Sequence, residues 1–259
     1  MSSLISNPWA LFAVFLVGLM VVVEIGLRLR LASSGIDEGR QSLIQSARDG
    51  LTVLLSFLLG FALPMTLPHY EQRRNLVIEE ANAIGTVDQR AQMLPQPFGG
   101  RIRELLREYV DARIEFASER DDYGVQASTA RAKDLQNQMW QQDVAAVGQY
   151  PNLGITPIFA QSLGSLADLN EERLAAYERR IPGTIWFVLT LISVLTCFVV
   201  GYSMGRRLFL AMFVLPLTVA IVLSLVSELD SPRTGFIRVE QQSIQRLQLD
   251  LRTNPLPNQ

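Results

Sequence analysis

The sequence is poor in residues that carry out chemistry. One cysteine, Cys197, one histidine, His69, and one lysine, Lys133, stand among 259 residues. A lone cysteine excludes an internal disulfide and a cysteine-held metal cluster, and a lone histidine excludes a histidine pair for a metal. The chain contains no glycine-rich phosphate loop, dinucleotide fingerprint or nucleophile elbow. Glu79-Glu80 and Asp121-Asp122 are adjacent carboxylates, but successive helical residues point about 100° apart, which makes them poor acid–base partners. The expectation is a protein that is not an enzyme and holds neither cofactor nor metal. Basic charge is not in excess either. With 23 basic and 25 acidic residues the net charge is −2 and the pI near 5.6, whereas nucleic acid calls for a basic surface.

What the chain does have is apolar length. It is 49% hydrophobic and 19% charged, with a mean hydropathy of +0.20, and the two characters are segregated. Four nearly charge-free windows, Pro8–Leu27, Gly50–Pro68, Gly183–Met204 and Leu208–Ser227, are each long enough to cross a bilayer as a helix. The first is too long, and lacks the basic start, for a cleaved signal peptide. The expected class is an all-α membrane protein with four transmembrane helices and an inserted soluble helical bundle. Residues 1–68 read as a first membrane hairpin, 69–181 as a soluble helical domain, 182–229 as a second hairpin and 230–259 as an amphipathic tail. The expected location is the cell membrane, multi-pass. Arginines flank both sides of the spans, so the positive-inside rule leaves orientation open.

Along the chain, Ser6-Asn7-Pro8 reads as a helix start. Glu24 and Arg28 are four apart and can pair on one helical face, as an interfacial pair or, alternatively, beside a pathway. Residues 29–47 read as a polar loop around Ser33-Ser34-Gly35 with a short amphipathic lead. The second window then runs without a break into Tyr70-Glu71-Gln72-Arg73-Arg74, as one long helix half in lipid and half in water. Pro64 and Pro68 free the carbonyls of Gly60 and Pro64, which a neighbouring helix or a wet lumen must satisfy. His69 reads as a solvated or capping imidazole, with pH sensing as the alternative.

Beyond the turn at Pro95-Gln96-Pro97, Ile102, Leu105, Leu106, Tyr109, Val110 and Ile114 recur at helical spacing. Arg101, Arg103, Arg107 and Glu108 are expected to face water. A second helix over about 126–149 should pack through Leu135, Met139, Trp140 and Val147, and Thr156-Pro157 should cap and start a third that reaches Arg180. Pro182-Gly183 returns the chain to the membrane with Trp186 as an interfacial anchor. Gly205-Arg206-Arg207 turns between the last two spans, and Pro216 kinks the fourth. Ile244, Leu247 and Leu251 give the tail one apolar face.

Several segments together resemble bestrophins, and more closely the bacterial bestrophin-like family. They are Ser56-Phe57-Leu58-Leu59-Gly60-Phe61, the run Tyr70–Arg74, and Glu79-Glu80-Ala81-Asn82-Ala83-Ile84-Gly85-Thr86 followed by Arg90. The approach Glu171-Glu172-Arg173-Leu174 and the exit Asp230…Gly235-Phe236-Ile237-Arg238-Val239 belong with them. The resemblance implies a homo-oligomeric channel, a pentamer by family likeness, with partners limited to the lipid bilayer, other copies of itself and permeant small ions such as chloride. It also implies a pore neck at Val53, Phe57 and Phe61. These three lie on one helical face, where copies around an axis would stack apolar rings that gate by dewetting. A lipid-facing or packing stripe is the alternative.

Thr52, Ser56, Gly60 and Pro64 form a neighbouring face for packing or lining. Polar small residues in lipid favour helix contact; hydroxyls in a lumen would instead suit a cation. Glu79, Asn82, Thr86 and Arg90 follow on nearly one side and read as a vestibule or inter-subunit network, or as plain helix surface. No acidic cluster resembling a bestrophin calcium clasp is present, and Pro64 and Pro68 depart from the family pattern. A non-conducting membrane sensor or scaffold is the rival reading.

Overall fold

Every regular element among the described residues is α-helical. The structure is a computed structural model that describes residues 8–33, 38–119, 121–152, 154–204, 209–231 and 239–253. The expected cap at Ser6-Asn7, the centre of the polar loop at Ser34-Gly35, the turn at Gly205–Arg207, and Gly235–Arg238 lie outside them. The helices are α1 (Pro8–Ala32), α2 (Glu38–Ala91), α3 (Phe98–Ser118), α4 (Asp122–Gln149), α5 (Thr156–Glu178), α6 (Gly183–Ser203), α7 (Phe209–Asp230) and α8 (Gln242–Thr253). Four of them, α1, α2, α6 and α7, carry stretches long and apolar enough to cross a membrane.

Two helices depart from the expected loop at residues 29–47, because α1 runs on to Ala32 and α2 already begins at Glu38. At 54 residues α2 is the longest element, about 80 Å of helix. Pro64 and Pro68 lie inside it without ending it. Two residues beyond Pro64, the buried Thr66 hydroxyl donates to the carbonyls of Ala62 and Leu63, at 3.2 and 3.0 Å. At the start of α5, Pro157 occupies the first turn, but Ile155 and not Thr156 is the capping residue, and it makes no side-chain cap bond.

The chain divides into two compact units, Met1–Tyr70 with Arg180–Arg238 and Glu71–Arg179 with Val239–Gln259; α2 contributes to both. In the first unit Leu19, Val23, Leu55, Ala62, Leu189, Cys197, Val219 and Leu223 form one buried cluster. Its α1–α6 contact is set by two glycines. A Cβ on Gly26 would lie 2.3 Å from the Phe198 carbonyl oxygen, and one on Gly201 2.1 Å from that of Val23. Only glycine lets two backbones approach this closely, a small-residue crossing typical of helices in lipid. Asp230, buried at the end of α7, accepts the backbone N–H of Ile181 at 2.8 Å, while its carbonyl accepts from Arg180 at 2.9 Å.

In the second unit the residues at helical spacing form the core as expected. Ile102, Leu105, Leu106, Tyr109 and Val110 of α3 meet Val77, Ile84 and Val87 of α2 and Leu135 and Met139 of α4. Ile244 and Leu251 of α8 join that cluster. Two expectations are overturned here. Arg103 does not face water; it is buried and pairs with Asp88 at 2.8 Å, and Arg107 is half-buried, donating to the Leu251 carbonyl at 3.0 Å. Trp140 and Val147 are not core residues but stay exposed, because Trp140 is one residue from buried Met139 and so points about 100° away from it.

Candidate functional site: the long helix and its two faces

Within the first unit α2 is two-faced. Leu55, Ala62 and Thr66 are buried against the other helices. On the opposite side of the helix Val53, Phe57 and Phe61 are 70%, 60% and 55% exposed. The rings of Phe57 and Phe61 are 4.6 Å apart, so they form a continuous aromatic strip along the helix. Of the neighbouring set, Thr52 is half-buried and Ser56, Gly60 and Pro64 are exposed. Their hydroxyls are spent locally, Thr52 on the Arg48 carbonyl and Ser56 on the Thr52 carbonyl, each at 2.8 Å. The side of α2 that holds the chain together is therefore not the one that carries the conspicuous aromatics.

Further along α2, Glu79 and Asn82 are exposed and Thr86 donates to the Asn82 carbonyl at 3.0 Å. Arg90 reaches another element, donating from Nη1 to the Ile158 carbonyl at 2.8 Å. About a quarter to a third of a turn round from this face lies a group the sequence did not single out as a cluster. Glu80, fully buried, accepts from Arg113 Nε at 2.6 Å, from Tyr109 Oη at 2.8 Å and from Arg173 Nη1. Arg173 Nη2 donates to Gln241 at 2.7 Å, and Gln136 donates to the Tyr109 hydroxyl at 3.4 Å. One carboxylate thus binds α2, α3 and α5 directly, and reaches α4 and the approach to α8 through its partners. Phe116 lies under both guanidiniums, 4.6 Å from Arg113 and 5.6 Å from Arg173, an arrangement suited to planar cations.

The electrostatics follow from that geometry. Burial alone would raise the Glu80 carboxyl, but the charges of Arg173 and Arg113 and their hydrogen bonds outweigh it and hold the group below the usual carboxylate range. Burial, and then the Glu80 charge, push the Tyr109 phenol well up, so it stays protonated and donating. The signal was present in the sequence. Leu76, Val77, Glu80, Ala81, Ile84 and Val87 lie on one helical face, and a carboxylate in the middle of an apolar face needs cationic partners.

The Glu24–Arg28 pair forms as expected, at 2.8 Å, with the arginine largely exposed. Among the described residues no group of three or more histidine, cysteine or acidic side chains is gathered as for a metal ion.

The bestrophin-like domain model matches residues 10–244. The chain belongs to the bestrophin-like family. Solved structures agree with that membership in fold. A bacterial bestrophin homologue from Klebsiella pneumoniae matches this bestrophin-like chain with a TM-score of 0.62 at 16% identity, over 93% of this chain and 98% of that one. A single-site variant of a Klebsiella pneumoniae homologue gives 0.61 at 17%, over 93% and 98%, and a variant described as a membrane protein gives 0.67 at 16%, over 93% and 98%. No match is found among curated proteins.

Proposed function

We propose that this bestrophin-like chain is a homo-oligomeric ion channel, a pentamer in the inner membrane, in which each copy gives α2 to a central axis. The observation that carries the reading is the exposed strip Val53–Phe57–Phe61, set opposite the packing face of a helix that continues unbroken from one unit into the other. Copies facing an axis would stack these side chains as apolar rings, a constriction able to open and close by wetting, with ring edges offering partial positive charge to an anion such as chloride. Thr52, Ser56, Gly60 and Pro64 then lie beside the rings, at contacts between neighbouring α2 helices. The second unit is the soluble helical domain, in the cytosol, with Glu79, Asn82, Thr86 and Arg90 lining or bracing a vestibule.

A cation-conducting pore of the same build is favoured by one observation. Ser56 commits its proton to the Thr52 carbonyl, which leaves its oxygen lone pairs for a cation if that face turns to the lumen.

The test is flux from purified protein in liposomes, with chloride and then potassium as the permeant ion. Chloride flux should rise several-fold in Phe57→Ala, which widens the neck. An assembled oligomer that passes neither ion would overturn the channel reading and leave a membrane sensor or scaffold; potassium flux without chloride flux would turn the selectivity around.

A further inference from the structure

Between α2 and α6 the first unit holds a pocket of about 300 Å³, the size of a small ligand site. It is lined from α2 by Leu58, Phe61, Ala62 and Met65, and from α6 by residues that include Thr184 and Val188. Leu58 to Met65 follow one another at i, i+3, i+4 and i+7, along one side of the helix. That side is the flank of α2 between its packing face, to which Ala62 belongs, and its aromatic strip, to which Phe61 belongs. The slot is roughly 10 Å long. It opens past Met65 and Val188, which are 47% and 44% exposed.

Place and polarity select the occupant. The lining falls at matching ends of two charge-free windows, Gly50–Pro68 and Gly183–Met204, so in a membrane the pocket lies within the hydrocarbon, just inside one surface. Thr184 is the one lining residue with a polar side chain, and it stands at the surface end. Ordered water needs several polar partners, which this lining does not offer. Beyond that end both helices turn polar. His69 continues the pocket side of α2, four residues past Met65. Arg180 lies four residues before Thr184, within about 14 Å of it along the chain. Arg180 is exposed; of its several donors, one goes to the Asp230 carbonyl at 2.9 Å, while the Asp230 carboxylate is turned to the Ile181 N–H.

We infer that this pocket holds an acyl chain of a phospholipid whose phosphate sits at Arg180. Hydrocarbon is the medium at this depth, and a single chain fits a narrow slot between two helices. A guanidinium at the surface end suits a phosphate, and an apolar slot leading to it suits the amphiphile that carries one. Such a site requires spans that cross a membrane, not spans that conduct. If they conduct as proposed above, Phe61 lines both slot and strip, and a chain in the slot backs the ring at the neck.

The experiment counts lipid on the purified full-length protein in detergent by native mass spectrometry. The probes are dioleoyl phosphatidylglycerol and diolein, which has the same chains and no phosphate. The wild type should retain one phosphatidylglycerol per chain and diolein about fivefold less, the discrimination that one arginine beside a lipid phosphate provides. Val188→Trp fills the slot from α6 and Met65→Trp from α2. Both positions are half exposed, so each variant should keep the wild-type thermal midpoint and lose both lipids. Arg180→Gln should retain phosphatidylglycerol only to the level of diolein. Filling variants that carry phosphatidylglycerol as the wild type does would overturn the site. An assembled wild type that takes up neither lipid would overturn it too, with a neighbouring copy filling the slot and the channel reading left standing. Equal retention of the two lipids by the wild type would overturn the phosphate at Arg180.

Discussion

The two units solve burial differently although α2 runs through both. In the first unit the hydroxyls buried deep in the apolar helices bond within their own helix, Thr66 to the Ala62 carbonyl, Ser193 to that of Leu189 and Thr196 to that of Ile192, each of the last two at 2.7 Å, and the buried carboxylate, Asp230, sits at the end of α7. Close contact there comes from Gly26 and Gly201, which bring backbone onto backbone. In the second unit full charges are buried. Glu80, Arg113 and Arg173 meet at its centre, and Asp88 pairs with Arg103 nearby. In lipid, solvent outside the helices is as apolar as the side chains, so association depends on fit and on satisfied backbone. If the second unit stands in water, as proposed above, the hydrophobic effect drives its collapse by itself.

The largest expected effect comes from breaking that centre. Glu80→Gln leaves two buried guanidiniums facing a neutral amide and should cost about 3–5 kcal/mol, read as a lowered thermal midpoint of the purified protein. The pH dependence follows from the depressed carboxyl of Glu80. Its stabilisation is present above the usual glutamate range of an unfolded chain and is lost as pH falls through the lower folded value. Wild-type stability should therefore fall on acidification, and Glu80→Gln should flatten that fall. A flat wild-type profile would show that the cluster does not hold Glu80 charged.

A smaller loss is expected from Gly201→Leu. Its side chain would enter the backbone of α1 and should cost about 2–3 kcal/mol, visible as a lower midpoint in detergent. If both this variant and Gly26→Leu left the midpoint unchanged, the close α1–α6 crossing would be wrong. The smallest effect sharpens the comparison from the other side. Asp143 is a buried carboxyl with one oxygen unpartnered, and burial raises its pKa, so ionisation at neutral pH works against folding. Asp143→Asn should raise stability at pH 7 by about 1 kcal/mol or less, and the gain should vanish as pH falls through the acidic range. A loss at pH 7 would mean that the carboxylate has a cationic partner.

What could be read from the sequence was what apolar periodicity reports. The four long apolar helices, the core face of α3 and the family resemblance through Ser56–Phe61 and Glu79–Thr86 all came from local patterns. The ionic centre did not: Glu80 on an apolar face signals that it needs cations, but Arg113 and Arg173 lie 33 and 93 positions further on, and no local pattern names them. Arg103 was misjudged for the same reason, since a charged residue at a core position reads as surface until its counter-ion is known. Trp140 was misjudged the opposite way: hydrophobicity was counted without its angle to Met139. The faces of α2 were legible as faces, but whether an exposed strip meets lipid, lumen or another subunit is decided by what surrounds the chain, which one chain's periodicity does not encode.

Arg173 takes its last partner from Gln241, and Ile244 and Leu251 complete the hydrophobic cluster of the second unit. These residues follow the fourth span, so the ribosome supplies them only after every helix of the first unit has been translated. Domains generally fold as units while the chain emerges, yet here the unit begun at Glu71 must wait, unfinished, through the synthesis of α6 and α7. The second unit therefore closes late, when α8 reaches a core whose first residues were made before α6 and α7.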